Sequence, residues 1–232
     1  MLFRSTSGAI TVDTTAPTPG TLTMTSTDTG SASNDGIVNN ATPAFSLSTA
    51  TDTAYTGTGH PTAAVATVTL ETSLDSGANW VTNATFTAPT SPATAYTVTA
   101  APLTTNTTYK IRARVTDTAG NSATTDLSTT LATIVIDTTT PTAGTLAIVE
   151  TDGVTNDGVV KVTTPSFTVT SPADSGYSAA AIWKVQLQVA SGTSGGSFAD
   201  SGTAATSVTN GAYALTLGAQ TPDGTYRVQA VT

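Results

Sequence analysis

Cysteine is absent from this 232-residue sequence, and histidine occurs once. The first absence excludes disulfides, thiolate nucleophiles and cysteine metal sites, and the second excludes a zinc or iron site built from several histidines. Charged residues make up only 9% of the chain and aromatic residues 6%. No segment approaches the run of roughly 18 apolar residues that a membrane helix needs, so membrane insertion is not expected.

Positive charge is also scarce. Seven Lys and Arg residues face 15 Asp and Glu residues, which gives a net charge of −8 and a pI near 4.2. This balance argues against nucleic acid and anionic lipid headgroups as partners. Residues 1–8 lack the apolar core of a signal peptide. Few lysines, abundant small polar residues and the low pI favour an extracellular protein whose export signal lies outside this sequence.

What the sequence has in abundance is threonine, with 57 residues, and β-branched residues favour strands. The sequence also repeats itself. Residues 13–22 recur 124 positions later, residues 34–38 recur 122 positions later, and residues 108–111 recur 117 positions later. These matching segments, called anchors below, follow one another in the same order in both halves, and their offset changes by only a few residues. They indicate a duplication with changes in loop length.

Apolar and polar residues alternate with a period of two in residues 109–115 and 183–189, as in half-buried strands. Asn/Asp-Gly sequences typical of turns separate such segments. Short strands in units of about 100–120 residues indicate β-sandwiches, and we expect Trp80 and Trp183 in their cores. The pattern places one set of side chains in the core (Tyr109, Ile111, Ala113, Val115) and the other in solvent (Lys110, Arg112, Arg114).

Three motifs carry a resemblance to a known family. They are Asp-Thr-Thr-x-Pro-Thr-x-Gly-Thr-Leu at 13–22, Asn-Asp-Gly followed by Thr-Pro-x-Phe within 34–45, and Val-Thr-Asp-Thr-Ala-Gly-Asn at 115–121. Together they resemble the bacterial immunoglobulin-like repeats of large surface adhesins and biofilm-associated proteins. The resemblance extends over 13–232 and implies a stalk of many such domains.

The predicted fold is therefore all-β, with two tandem immunoglobulin-like β-sandwiches at 13–136 and 137–232. The second is expected to lack its closing strand within this chain, because the sequence stops at Thr232, before any counterpart of the Asp-Thr-Ala-Gly-Asn turn at 117–121. Residues 1–12 are predicted to be the closing strand of a preceding or neighbouring domain. Within that segment, the strand-forming residues are Ala9, Ile10, Thr11 and Val12.

Acidic residues concentrate in the predicted linkers and loops, where carboxylates and carbonyls suit Ca²⁺. We expect Asp117 and Asn121 near Asp13, and Asp28 and Asp35 near Asp137. Related adhesin repeats bind calcium in such linkers, whereas Asp and Asn also favour turns without any ion. The predicted ligands are Asp13, Asp28, Asp35, Asp117, Asn121, Asp137, Asp152 and Asp157.

An enzyme is not expected, because nothing places a nucleophile near the single histidine, His60. The favoured function is a structural or adhesive segment of a bacterial surface stalk or fibre, with neighbouring repeats, copies of itself, or cell-surface glycans or proteins as partners. One alternative is a filament subunit that polymerises head to tail by donating residues 1–12 to the next copy. A second is a carbohydrate-binding module that uses Trp80, Tyr55 and Tyr177.

Overall fold

The computed structural model shows an all-β chain in two units, Met1–Ile136 and Asp137–Thr232. It describes residues 12–29, 35–52, 65–87, 95–128, 131–150, 157–176, 182, 184–206, 212–221 and 224–231. These residues form four sheets and no helix. In this described part, no segment is a helix long and apolar enough to cross a membrane.

The first unit contains two sheets. Its strands are β1 (Leu22–Met24), β2 (Ile37–Val38), β3 (Ala44–Ser48), β4 (Val65–Ser73), β5 (Val81–Thr85), β6 (Ala95–Thr99), β7 (Thr107–Asp117), β8 (Ser122–Asp126) and β9 (Ile134–Ile136). One sheet has the order β1-β3-β6. The other has the order β2-β9-β7-β4-β5, and β8 also pairs with β7. All pairings are antiparallel except that of β2 with β9, which is parallel.

Strand β7 confirms the predicted alternation. Tyr109, Ile111, Ala113 and Val115 are buried, while the residues between them are half-buried or exposed. Successive side chains of a strand point to opposite faces of the sheet. The period-two pattern therefore identifies the core face of β7 correctly.

The core of the first unit joins both of its sheets. A single cluster of buried side chains contains Phe45 and Leu47 from β3 together with Leu70 from β4 and Ile111 from β7. Burial of such large apolar side chains contributes roughly 1.5–3 kcal/mol each. The cohesion of the unit therefore depends on contact between the two sheets.

The second unit repeats this plan with fewer strands in its described residues. They are β10 (Thr145–Val149), β11 (Ser166–Thr170), β12 (Gln186–Ser191), β13 (Ala199–Asp200), β14 (Ala212–Thr216) and β15 (Tyr226–Val231). The sheets have the orders β10-β11-β14 and β13-β12-β15. Val185 and Leu187 are fully buried as expected, and Trp183 lies outside the described residues.

The strand registers of the two units match. Leu70 pairs with Ala113 between β4 and β7, and Leu187 pairs with Ala230 between β12 and β15. Each residue of the second pair lies 117 positions after its counterpart, the same offset that relates the 108–111 anchor to its repeat. The duplication read from the sequence therefore extends to which residues pair across the sheets.

Trp80 departs from its predicted place in the core. It is half-buried, its Nε1 donates to the carbonyl of Gly77 at 2.9 Å, and the Arg112 guanidinium lies 4.1 Å from the ring centroid. Arg112 also pairs with the buried Glu71, with 2.6 Å between Nε and Oε2. The indole therefore uses its polar tip for a hydrogen bond to the backbone and its apolar face for a contact with the Arg112 guanidinium. Both contacts keep it beside the ion pair and out of the core.

We predict that Arg112→Gln lowers the free energy of unfolding by about 2–4 kcal/mol, because it leaves the Glu71 carboxylate buried without its closest cation. Arg114→Gln is the matched control, since Arg114 lies 3.9 Å from the same carboxylate and its side chain is 48% exposed. It should cost under about 1 kcal/mol. Urea denaturation of both variants measures the difference, and equal losses would contradict this account of the pair.

Candidate cation site

The hairpin between β7 and β8 is built around the carboxylate of Asp117. Asp117 Oδ1 accepts hydrogen bonds from the backbone N–H groups of Ala119 at 2.8 Å and Asn121 at 2.9 Å. Gly120 has a φ of +96°, a conformation that glycine adopts without strain. The Asp-Thr-Ala-Gly-Asn sequence therefore fixes a tight turn around one ionised side chain.

Asn121 connects this turn to the start of the chain's described part. Its Nδ2 donates to Asp117 Oδ2 at 3.0 Å and to the backbone carbonyl of Asp13 at 3.1 Å. The Asp13 side chain is fixed locally, because its Oδ1 accepts the N–H of Thr15 at 3.0 Å. The sequence-based expectation that Asp117 and Asn121 lie near Asp13 agrees with this geometry.

A third carboxylate, that of Asp52, completes the cluster. Two backbone hydrogen bonds between Thr18 and Thr51, of 2.7 and 3.0 Å, bring the segment after β3 alongside residues 13–18. Carboxylate oxygens of Asp13, Asp52 and Asp117 then lie within 4.8 Å of one another. Hard cations such as Ca²⁺ take oxygen ligands of this kind, so these three residues are the ones that could hold a cation here.

The electrostatics of Asp117 keep it ionised. It is only 2% exposed, and burial by itself raises the pKa of a carboxyl group. The hydrogen bonds from the side chain and backbone of Asn121 and from the N–H groups of Gly120 and Ala119 outweigh burial and lower the pKa of Asp117. Asp13 and Asp52 are half-buried, which leaves the cluster partly open to solvent.

Asp28 and Asp35 organise a different part of the first unit. Asp28 Oδ2 accepts the N–H of Gly36 at 3.0 Å, and Asp35 Oδ1 accepts the N–H of Ile37 at 3.0 Å. Burial raises the pKa of Asp28; the Gly36 N–H opposes that shift, and the negative charge of Asp35 adds to it. Asp28 Oδ1 is buried and receives no hydrogen bond within the described ranges. These two carboxylates hold the backbone at Gly36 and Ile37, where β2 begins.

The remaining predicted ligands belong to the second unit. Asp157 Oδ1 accepts the N–H of Val159 at 2.9 Å, which matches the bond from Ile37 to Asp35 in the first unit. Asp137 Oδ1 accepts the N–H of Thr139 at 3.0 Å. Asp152 lies outside the described residues. The expected approach of Asp28 and Asp35 to Asp137 joins two separate units and stays a prediction.

Sequence reasoning missed Asp52, although a signal for it exists. Asp174 lies 122 positions later, and the backbone pairing of Thr142 with Ala173 repeats that of Thr18 with Thr51. Asp174 accepts the N–H of Gly176 at 2.8 Å. Asp52 and Asp174 thus occupy the same place in the two repeats, and this recurrence of an acidic residue is the signal that could have identified Asp52.

The aromatic residues proposed for sugar binding are only partly placed. Tyr55 and Tyr177 lie outside the described residues, as does His60. One face of the Trp80 ring is occupied by Arg112. That contact leaves less of the ring available for stacking on a sugar.

A scan against protein-family models and a search of curated proteins each find no match to the chain. The resemblance carried by the three motifs is therefore not a family assignment. The class that stands is an all-β protein with several antiparallel sheets.

We predict that calcium raises the melting temperature of the first unit by several degrees relative to EDTA. A cation that binds only the folded state contributes about 2.7 kcal/mol at 100 times its dissociation constant. Asp52→Asn should abolish the rise, whereas Asp126→Asn, an exposed position on β8, should retain it. Differential scanning calorimetry measures both variants. Identical midpoints of the unaltered chain in calcium and EDTA would exclude this site.

Proposed function

We propose that this chain is a non-enzymatic, extracellular structural or adhesive segment of a bacterial surface stalk or fibre. It would consist of two tandem immunoglobulin-like β-sandwiches. The observation that carries the proposal is the shared strand register of the two units, in which Leu70–Ala113 and Leu187–Ala230 are equivalent pairs. Repetition of one load-bearing domain is what a stalk requires.

The sandwich architecture is supported by the core of the first unit. Side chains from both of its sheets, including Phe45 on β3 and Ile111 on β7, belong to one buried cluster. Two sheets whose inner faces interdigitate in this way form the core of a β-sandwich. In the second unit, Phe167 on β11 and Leu187 on β12 belong to one cluster in the same manner.

The net charge and the proline at the start of the second unit also support a stalk segment. A net charge of −8 keeps neighbouring copies apart and soluble. Pro141, just after the start of the second unit, fixes its own φ and biases Thr140 toward extended geometry. A connecting segment with few conformations transmits force between domains better than a flexible one.

We predict two separate unfolding events when single chains are stretched. Each unit of about 100–120 residues should release a contour length of about 300–400 Å, because each has its own core. Leu47→Ala, which removes a fully buried side chain of the first unit, should cost about 2–5 kcal/mol and lower the force of one event only.

Val81→Ala is the matched control, because Val81 is 68% exposed in the same unit. It should leave both events unchanged. Atomic force spectroscopy records the peaks. A smooth extension curve without unfolding peaks would contradict a load-bearing role.

A further inference from the structure

The central strand pairs of the two units carry nearly the same apolar side chains on their core faces. In the first unit β4 pairs with β7, and in the second β12 pairs with β15. The core-facing counterparts, 117 positions apart, are Leu70 and Leu187, Ile111 and Val228, and Ala113 and Ala230. These apolar residues therefore do little to determine which strand pairs with which.

This likeness creates a hazard during folding, because exchange of strands between similar domains is a characteristic way in which repeat proteins misfold. The exchanged pairs here are β4 with β15 and β12 with β7. If the register of each unit is kept, Leu70 lies opposite Ala230 in the exchanged pair, as it lies opposite Ala113 in the correct one. Discrimination against exchange must then come from the other face of these strands.

One row on that other face differs in charge between the units. Glu71 lies opposite Arg112 in the first unit, with 2.6 Å between Arg112 Nε and Glu71 Oε2. Their counterparts, Gln188 and Gln229, also lie opposite each other, and Gln229 Nε2 donates to Gln188 Oε1 at 2.7 Å. The same place in the sheet thus holds an ion pair in one unit and a neutral amide pair in the other.

Burial makes this difference matter. Glu71 is only 5% exposed. In the exchanged pair of β4 with β15, Glu71 would lie opposite Gln229 and would lose its closest cation. The reciprocal pair of β12 with β7 would place Arg112 opposite Gln188 and remove its carboxylate. A buried charge that loses its partner is strongly unfavourable, so exchange costs free energy at this row on both sides.

The neighbouring rows of the same face do not distinguish the partners in this way. Exchange would place Arg114 opposite Gln186, but the Arg114 side chain is 48% exposed, and a solvated charge loses little when its neighbour changes. Lys110 and its counterpart Arg227 carry the same charge, so exchange leaves the charge of their row unchanged. Among these rows of the described strands, the one with the buried Glu71 therefore distinguishes the partners best.

We propose that the Glu71–Arg112 ion pair and the Gln188–Gln229 amide pair together prevent strand exchange between the two repeats during folding. Apolar burial stabilises correct and exchanged pairs to a similar extent, and the charge mismatch makes the exchanged pairs the less stable ones. Polar residues that specify which segments associate act in the same way in coiled coils. The inference goes beyond the proposed function and rests on the duplication alone.

The test removes the difference between the rows in the full chain and then restores it. Glu71→Gln with Arg112→Gln, the first-unit variant, gives both units an amide pair. Gln188→Glu with Gln229→Arg, the second-unit variant, gives both units an ion pair. It also carries Asp200→Thr, because Gln188 donates to Asp200 at 2.8 Å and a glutamate there would face a second carboxylate. The combined variant carries all five substitutions, so the rows differ again with the units reversed.

The absence of cysteine allows exchange to be read directly. Thr69 lies opposite Arg114, and Val231 lies opposite Gln186, so Thr69 and Val231 become cross-strand neighbours when β4 pairs with β15. Thr69→Cys with Val231→Cys is therefore added to the unaltered chain and to every variant. Each chain is refolded from urea with a mild oxidant, and mass spectrometry of non-reduced peptides measures the cross-linked fraction.

The first-unit and second-unit variants should each form the 69–231 cross-link at least about tenfold more than the chain with unaltered rows, because the exchanged pairs no longer contain an uncompensated charge. In the combined variant the cross-link should fall back to the unaltered level. Loss of stability alone cannot produce this rescue, since the combined variant carries the substitutions of both others. A second reporter, Thr69→Cys with Arg114→Cys, should cross-link in every variant and shows that β4 and β7 still pair.

Two results would overturn the proposal. One is a 69–231 cross-link that stays at the unaltered level in both the first-unit and the second-unit variant. The other is a combined variant that cross-links as much as those two. Neither result affects the proposed stalk function, which the unfolding events of the unaltered chain in force spectroscopy test separately.

Discussion

Insertion of β9 between β2 and β7 is the constraint on which the first unit depends. Three residues, Ile134–Ile136, pair with strands on both sides and bury both isoleucines completely. The same insertion fixes the Gly36 loop, since the N–H of Val135 donates to the Gly36 carbonyl.

The acidic cluster illustrates how a turn and a strand end combine into a site. Asp117 is ionised because hydrogen bonds from its own turn outweigh its burial. Asn121 then ties the turn to Asp13, and the Thr18–Thr51 pairing adds Asp52. The three carboxylates come from separate segments of the first unit, so they lie together only when the unit is folded. A cation that binds them would therefore stabilise the folded state. A cation bound there would hold the segment at Asp13 to the end of β7.

Much of this organisation was predictable from the sequence, for identifiable reasons. The alternation in residues 109–115 identified the core face of β7, because strand side chains alternate strictly. The expectation that Asp117 and Asn121 lie near Asp13 agrees with the hydrogen bond from Asn121 Nδ2 to the Asp13 carbonyl. Trp80 was assigned wrongly, since composition alone cannot tell whether an indole fills a core or covers an ion pair. Asp52 was missed because only the long-range pairing of Thr18 with Thr51 brings it to the cluster.

Hydrogen exchange measured by mass spectrometry tests the central claim most directly, because it reads the pairing of β9 with its two neighbouring strands in the unaltered chain. Residues 107–109 and 134–136 should be as strongly protected as the centre of β7, since β9 pairs with β7 on one side and with β2 on the other. Exchange of these residues at the rate of an unpaired segment would contradict the account.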